Sequence, residues 1–250
     1  MGFTHRVLKC SACLGLWLAS AWCGATEYKV DLIQFDPWAM KNPDGQSPRL
    51  LVGIVPELLD EFERRSGHTT TRVLTPYVRV EKNLENGWND FSLMAWGPVR
   101  AAYANRGTAF VPLEFGVRAH KSVSLKSYAD LATITTSAPR GLKVDPRFDV
   151  DTELRKDYVV DYTMGIKKTA MRRDSQAVAG SLSTINNIIS KLHLESEFGD
   201  TIHLNTTHFT VAYSKKSPHI ADEAPVNAIF KTMVDDGTAK RIYDKWMAAQ

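Results

Sequence analysis

The sequence predicts an α/β fold, and three observations carry that expectation. Short apolar segments of strand length alternate with amphipathic segments of helical period along most of the chain. Helix-starting and helix-ending residues punctuate them, with Pro56 at one start and Gly67, Gly87 and Gly237 at three ends. The composition is that of an ordinary globular protein, 44% hydrophobic and 24% charged, so helices and sheets have apolar faces to bury against one another.

Taken in order, Tyr28 to Phe35 reads as the opening strand, with Val30, Leu32 and Ile33 apolar. Asp36-Pro37-Trp38 and Asn42-Pro43-Asp44-Gly45 are turn-formers that lead it into a loop. Val52 to Val55 is a short extended piece. Pro56 to Arg65 is a helix with Pro56 at its first position, acids early, Arg64 and Arg65 late, and Gly67 in the left-handed position after it. Thr69 to Leu74, rich in β-branched residues, is the second strand. A helix from Val78 to Asn86 stops at Gly87, and Asp90 to Ala95 is a short strand. Phe115 to Arg118 is a further strand. The pattern then restarts: one helical turn over Tyr128 to Leu131, strands at Ala132 to Thr135 and Ala177 to Gly180, helices at Met164 to Arg172 and Thr184 to Leu192. Residues 143–157 carry no clear period. His208 to Tyr213 is a late strand. Val226, Ile229, Phe230, Met233 and Val234 follow the i, i+3, i+4, i+7, i+8 spacing of a buried helical stripe, and Ile242, Tyr243 and Trp246 mark a final amphipathic turn.

All three cysteines, Cys10, Cys13 and Cys23, fall in the first 25 residues. There a basic start (Arg6, Lys9), an apolar core around Leu14 to Leu18, and small residues at Cys23-Gly24-Ala25 form a secretory leader of residues 1–25. Cleavage is expected after Ala25, with Ala21 the alternative. A lipid anchor on Cys23 would require a small residue where bulky Trp22 stands. The remaining chain of about 225 residues has no cysteine, and losing Arg6 and Lys9 lowers the net charge from +3 to +1. That length suits one large domain or two small ones. A near-neutral chain gives no electrostatic reason to expect nucleic-acid binding. Neither a glycine-rich phosphate loop nor a metal-ligand spacing of histidines occurs, so no cofactor and no metal are expected.

The order of these segments resembles the bacterial extracellular solute-binding proteins of family 3, the periplasmic receptors for polar amino acids and similar solutes. The resemblance rests on Asp36-Pro37-Trp38, Gly53 to Leu59, Tyr77-Val78-Arg79, Gly87-Trp88-Asn89-Asp90, Pro98-Val99-Arg100, and Ser124-Leu125 through Leu131. It is densest near the end, at Val211 to Pro218, Asp236-Gly237-Thr238 and Ile242 to Trp246. It implies two α/β lobes of the periplasmic-binding-protein kind, joined by two crossover strands with a ligand cleft between them. Lobe one would be 26–115 plus 210–250 and lobe two 116–209, with crossovers near Phe115 to Arg118 and His208 to Val211. It implies a monomeric exported receptor that captures a small polar or carboxylate-bearing solute for an ABC-type importer in the membrane.

The site residues follow from that resemblance. Arg100 stands where amino-acid receptors of the family carry an arginine that pairs with the ligand's α-carboxylate, and a guanidinium fork suits that task. Trp38, Tyr77 and Trp96 are candidate cleft walls, because flat rings bury large apolar area and stack on planar ligands. Gly97 would let a ligand approach the backbone. Arg79 either reaches the cleft or pairs on its helix. Arg140-Gly141 would offer a charge and amides at the mouth of lobe two. The family's carboxylate for the ligand ammonium has no counterpart here, since Gly180 and Ser181 occupy its place. A buried ammonium without an anion is costly, so an ordinary α-amino acid is not expected. Two other functions fit the same scaffold. One is an enzyme resembling cyclohexadienyl dehydratase, for which Asp36, Glu114 and His208 are the acid–base candidates; the other is a sensory or accessory partner acting in trans.

Overall fold

The computed structural model describes residues 24–45 and 50–248. All of the leader expected over 1–25 except Gly24 and Ala25 lies outside the described residues. Ten strands and seven α-helices alternate through the described chain. One eight-stranded sheet holds eight of those strands, in the order β4-β1-β5-β10-β6-β9-β7-β8, and β2 (Met40–Lys41) pairs with β3 (Leu51–Val52) apart from it.

The first half of the sheet contains β1 (Glu27–Ile33), β4 (Thr69–Thr75) and β5 (Phe91–Ala95), all parallel. The second half contains β7 (Thr135–Pro139) parallel to β8 (Arg155–Val159) and β9 (Ala177–Ser181). Two 17-residue strands, β6 (Ala104–His120) and β10 (Phe198–Ser214), run antiparallel through both halves. Only the end of β10, Phe209 to Tyr213, pairs with β5, and only the end of β6, Phe115 to Ala119, pairs with β9. Between those ends, Pro112 to Glu114 and Thr206 to His208 pair with each other and with no third strand among the described residues. The bridge between the halves is therefore a two-stranded ribbon.

Both crossing strands are much longer than Phe115 to Arg118 and His208 to Tyr213, the lengths expected from sequence. In Thr201 to Thr207 polar residues dominate because the ribbon presents both faces to partial solvent, so no apolar period marks it. Three other expectations shift. The helical turn extends over Tyr128–Thr133, and the strand after it starts at Thr135 rather than at Ala132. The unplaced stretch 143–157 holds a five-residue helix, α3 (Pro146–Val150), capped by Asp145 and with Pro146 at its start, and then β8. Helix α1 (Ile54–Ser66) begins two residues before Pro56, because Gly53 serves as its N-cap.

Gly53 matters for the site. Its φ is +129°, and a Cβ there would lie 2.7 Å from the Trp38 carbonyl oxygen. A bare Cα lets the start of α1 close on the preceding turn, where Ile54 and Val55 amides donate to the Pro37 and Trp38 carbonyls at 3.1 and 2.9 Å. The turn that carries Trp38 is thereby anchored to the helix. At their other ends α1 and α2 (Tyr77–Asn86) stop at Gly67 and Gly87, both left-handed.

Leu58, Leu59 and Phe62 of α1 are buried against the sheet. Phe62 stacks on Phe230 of α6 (Glu223–Asp235) at 4.8 Å, with Phe91 edge-on to both. The second half is packed by Ile166 of α4 (Tyr162–Ala170) and by Ile185 and Ile189 of α5 (Leu182–Lys191) against β9. Helix α7 (Thr238–Ala248) closes on α1 and α6. Among the described residues no helix is long and apolar enough to cross a membrane.

An ion-pair cluster ties α1 to the α6–α7 corner. Glu61 accepts from Arg64 and Arg65, and Arg65 also meets Asp236 at 2.8 Å. The Arg64 hydrogen bond, helped by Arg65, holds the Glu61 carboxyl at about 2, below its ordinary 4.5. A folded value below the unfolded one gives stability that is complete above about 4.5 and is lost as pH falls through about 2. Glu61→Gln is accordingly expected to lower Tm at pH 6 and to match the parent chain as the pH nears 2. Melting curves of both across that range check it.

Candidate functional site

Where the two halves of the sheet face each other lies a narrow cavity with a free interior of about 40 Å³. From the first half Phe35, Trp38, Tyr77, Met94, Ala95 and Phe209 line it. Across from them stand Phe115, Leu142, Tyr162, Ser181 and Thr184. The walls are apolar except for four hydroxyls, and no Asp, Glu, Lys, Arg or His is among the fifteen lining residues.

Several contacts close the cavity from both sides. The buried Trp38 packs on Phe209 with ring centroids 4.3 Å apart, and its indole N–H donates to Thr184 Oγ1 at 2.9 Å. Phe35 meets Tyr162 edge-on at 5.0 Å. Asp36 pairs with Lys191 of α5 at 2.9 Å. Gly141 lies so near α2 that a Cβ on it would overlap Val78. Apart from the Trp38–Phe209 packing, each of these joins an element of the first half to one of the second. Thr184→Val keeps the side-chain shape but leaves the buried indole N–H without its acceptor. It is expected to cost about 1–3 kcal/mol, read from urea denaturation.

Tyr162 is set by a local device. It opens α4 directly after the N-cap Asp161, and its ring passes over the backbone of Gly180 at the end of β9. Its hydroxyl accepts from the Ser181 amide at 2.9 Å. Burial holds the phenol above its ordinary pKa, so it stays protonated at neutral pH. Its own proton finds no acceptor among the described residues. Ser181 caps α5, with its hydroxyl 3.0 Å from that of Ser183.

Arg100 is buried, 4% exposed, and is not among the lining residues. Its guanidinium makes four hydrogen bonds inside the protein. Nε donates to Glu81 Oε2 at 3.2 Å, Nη1 to the Ala95 carbonyl at 2.7 Å, and Nη2 to both Glu81 Oε1 and the Tyr77 hydroxyl. Tyr103 donates its hydroxyl to Glu81 Oε2. The bidentate face expected to hold a ligand carboxylate is thus filled by a carboxylate of the chain itself. Burial holds the phenols of Tyr77 and Tyr103 above the ordinary value, so both remain donors.

The structure therefore brings Trp38, Tyr77 and Ser181 to the cavity, with Gly180 beneath Tyr162. It places other sequence candidates elsewhere. Trp96 is half-buried beside the cavity wall, its amide donating to His208 O at 2.9 Å, with Arg106 over its ring at 6.0 Å. Gly97 gives room to Arg100: a Cβ there would sit 3.0 Å from Nη1. Arg79 and Arg140 are exposed and not among the lining residues, and Gly141 fills its place by contact with α2. Of the acid–base candidates, Asp36 is held by Lys191, while Glu114 and His208 are exposed on the ribbon. Sequence reasoning missed Phe35, Tyr162, Thr184 and Glu81. For Glu81 a signal existed: it lies four residues after Tyr77 on α2, which puts the two on one helix face.

No family model matches the chain, and no curated protein matches it. Solved structures do. A mutant of ArgBP from T. maritima superposes with a TM-score of 0.76 at 17% identity, covering 89% of this chain and 95% of that one. The GluR0 ligand-binding core from Nostoc punctiforme, in complex with L-glutamate, gives 0.74 at 12% identity over 88% of this chain and 98% of that one. The ancestral amino acid-binding protein AncCDT-1, a precursor of cyclohexadienyl dehydratase, gives 0.71 at 18% identity over 90% and 96%. The fold is the two-lobed α/β fold of periplasmic binding proteins.

Proposed function

We propose that the chain is an exported receptor that captures a small solute between two lobes and delivers it to a membrane importer. Lobe one comprises 26–115 with 210–250, and lobe two 116–209. It acts outside the inner membrane, as a monomer and by binding alone. The observation that carries this reading is a cavity lined from both halves of the sheet, whose strands are linked through a two-stranded ribbon. A cleft of that kind buries most of a small ligand. A solute that touches both walls stabilises the closed arrangement by its differential contacts, and the ribbon is where a hinge would turn. Export is supported by the leader pattern of 1–25, and solute binding by the amino-acid-binding proteins that share the fold. The dehydratase alternative has less support, since none of its three acid–base candidates lines the cavity.

Thermal-shift screening tests the reading, with amino acids, organic acids, amines, sugars and neutral aromatics as the library. A ligand at a hundred times its Kd adds about 2.7 kcal/mol to the native state, a rise of about 5–10 °C for a chain of this size. Silence across the library would remove the receptor reading. Turnover of prephenate or arogenate would replace it with the enzyme.

A further inference from the structure

Charge is missing from the cavity in two separate ways. The guanidinium that a ligand carboxylate would seek is already paired. Arg100 holds Glu81 through Nε and Nη2, Tyr77 through Nη2, and the Ala95 carbonyl through Nη1. Tyr77 and Ala95 belong to the cavity wall, so the ion pair sits one side chain behind it. Its charges cancel, and Tyr103 supplies a further donor to Glu81. A ligand carboxylate could reach Arg100 only by displacing Glu81 and passing Tyr77. Nor does a carboxylate among the lining residues await a ligand ammonium. Asp36, next in the chain to the lining Phe35, is bound to Lys191 at 2.9 Å. Arg79 and Arg140 stand in solvent, where water screens a contact with a ligand charge.

What the cavity does offer is aromatic surface and neutral hydroxyls. Trp38 and Phe209 form one wall and Phe35 with Tyr162 another. The Tyr162 hydroxyl accepts from the Ser181 amide, and its proton is left to donate. Thr184 accepts from the Trp38 indole through Oγ1, so its hydroxyl proton is likewise a donor. A buried ion without a partner pays most of its desolvation unrelieved, whereas an amide or hydroxyl meets hydrogen bonds of its own strength here.

Building on the receptor reading, we propose that the solute is uncharged within the cavity: a ring-bearing amide, alcohol or carbonyl compound held by aromatic walls and the Tyr162 and Thr184 hydroxyls. Glu81 permanently fills the place of a ligand carboxylate and excludes charged solutes.

Matched isosteres test it on the full chain with its leader removed. Isothermal titration compares phenylacetamide with phenylacetate and phenethylamine, and indole-3-acetamide with indole-3-acetate and tryptamine. The neutral isostere of the best compound from the thermal-shift library is set beside its charged forms in the same way. The neutral member of each binding set is expected to bind at least about tenfold more tightly, the cost of a modest part of an ion's desolvation. A carboxylate or amine that binds as well as its neutral isostere, or better, overturns the exclusion of charge and leaves the receptor standing. If no compound of either charge binds, the receptor reading falls and the inference falls with it.

Discussion

Gly180→Ala is expected to lower stability by about 2–5 kcal/mol, combining backbone strain with overpacking, and to remove solute binding. Gly180 has φ +152°, in a region that side chains rarely adopt. A Cβ on it would lie 2.5 Å from the Tyr162 hydroxyl oxygen and nearer still to the ring. Tyr162 is wholly buried and already meets Phe35 at 5.0 Å, so its ring has only the cavity to move into. The same change at Gly45 is a control, because its φ is +57° and nothing among the described residues lies within 4 Å of a Cβ there. There only the left-handed backbone resists, at about 1 kcal/mol. Urea midpoints of both variants separate the two costs. A Gly180→Ala chain as stable as the Gly45→Ala chain would mean that Tyr162 does not pass over this glycine.

Arg100→Met is expected to cost about 2–4 kcal/mol. Breaking a buried pair from one side costs about 3–5 kcal/mol, and Glu81, with 22% of its side chain exposed, recovers part of that from water. The double variant Arg100→Met with Glu81→Met should regain most of the loss, because neither charge is then left alone. A double-mutant cycle read by denaturation gives the coupling directly. Under this account the Arg100 variants lose stability while a neutral solute keeps its affinity. A variant that stays stable yet loses solute binding would restore Arg100 to the role of ligand anchor.

These two residues show where sequence reading stops. The long helix α6 was legible because five apolar residues repeat at helical spacing over a length that no strand matches. Gly67, Gly87 and Gly237 were legible as helix ends because each takes a left-handed backbone. Helix α3 was not, because five residues give too few turns for a period to show. The full lengths of β6 and β10 were not, because a ribbon exposed on both faces carries no alternation. In the site, Trp38 and Tyr77 stood out as aromatics beside turn and helix starts. Tyr162 and Thr184 did not, since their meaning lies in contacts with Gly180 and Trp38 that helix-scale periodicity cannot express. Arg100 was visible as a guanidinium on an element start, but its partner is a glutamate 19 residues earlier. Only the folded chain shows that the fork is full.

Two lobes that close upon a solute must approach each other when it binds. The chain's own cysteines, Cys10, Cys13 and Cys23, all precede Thr26, so spin labels can be placed on a leader-free chain through Lys82→Cys on α2 and Lys143→Cys in the facing half. Both positions are exposed. Pulsed electron resonance then gives the label-to-label distance with and without the compound that most raises Tm. A broad, longer distribution is expected in the free protein, shortening and narrowing at saturation. A distance that stays the same when the compound is fully bound would contradict closure.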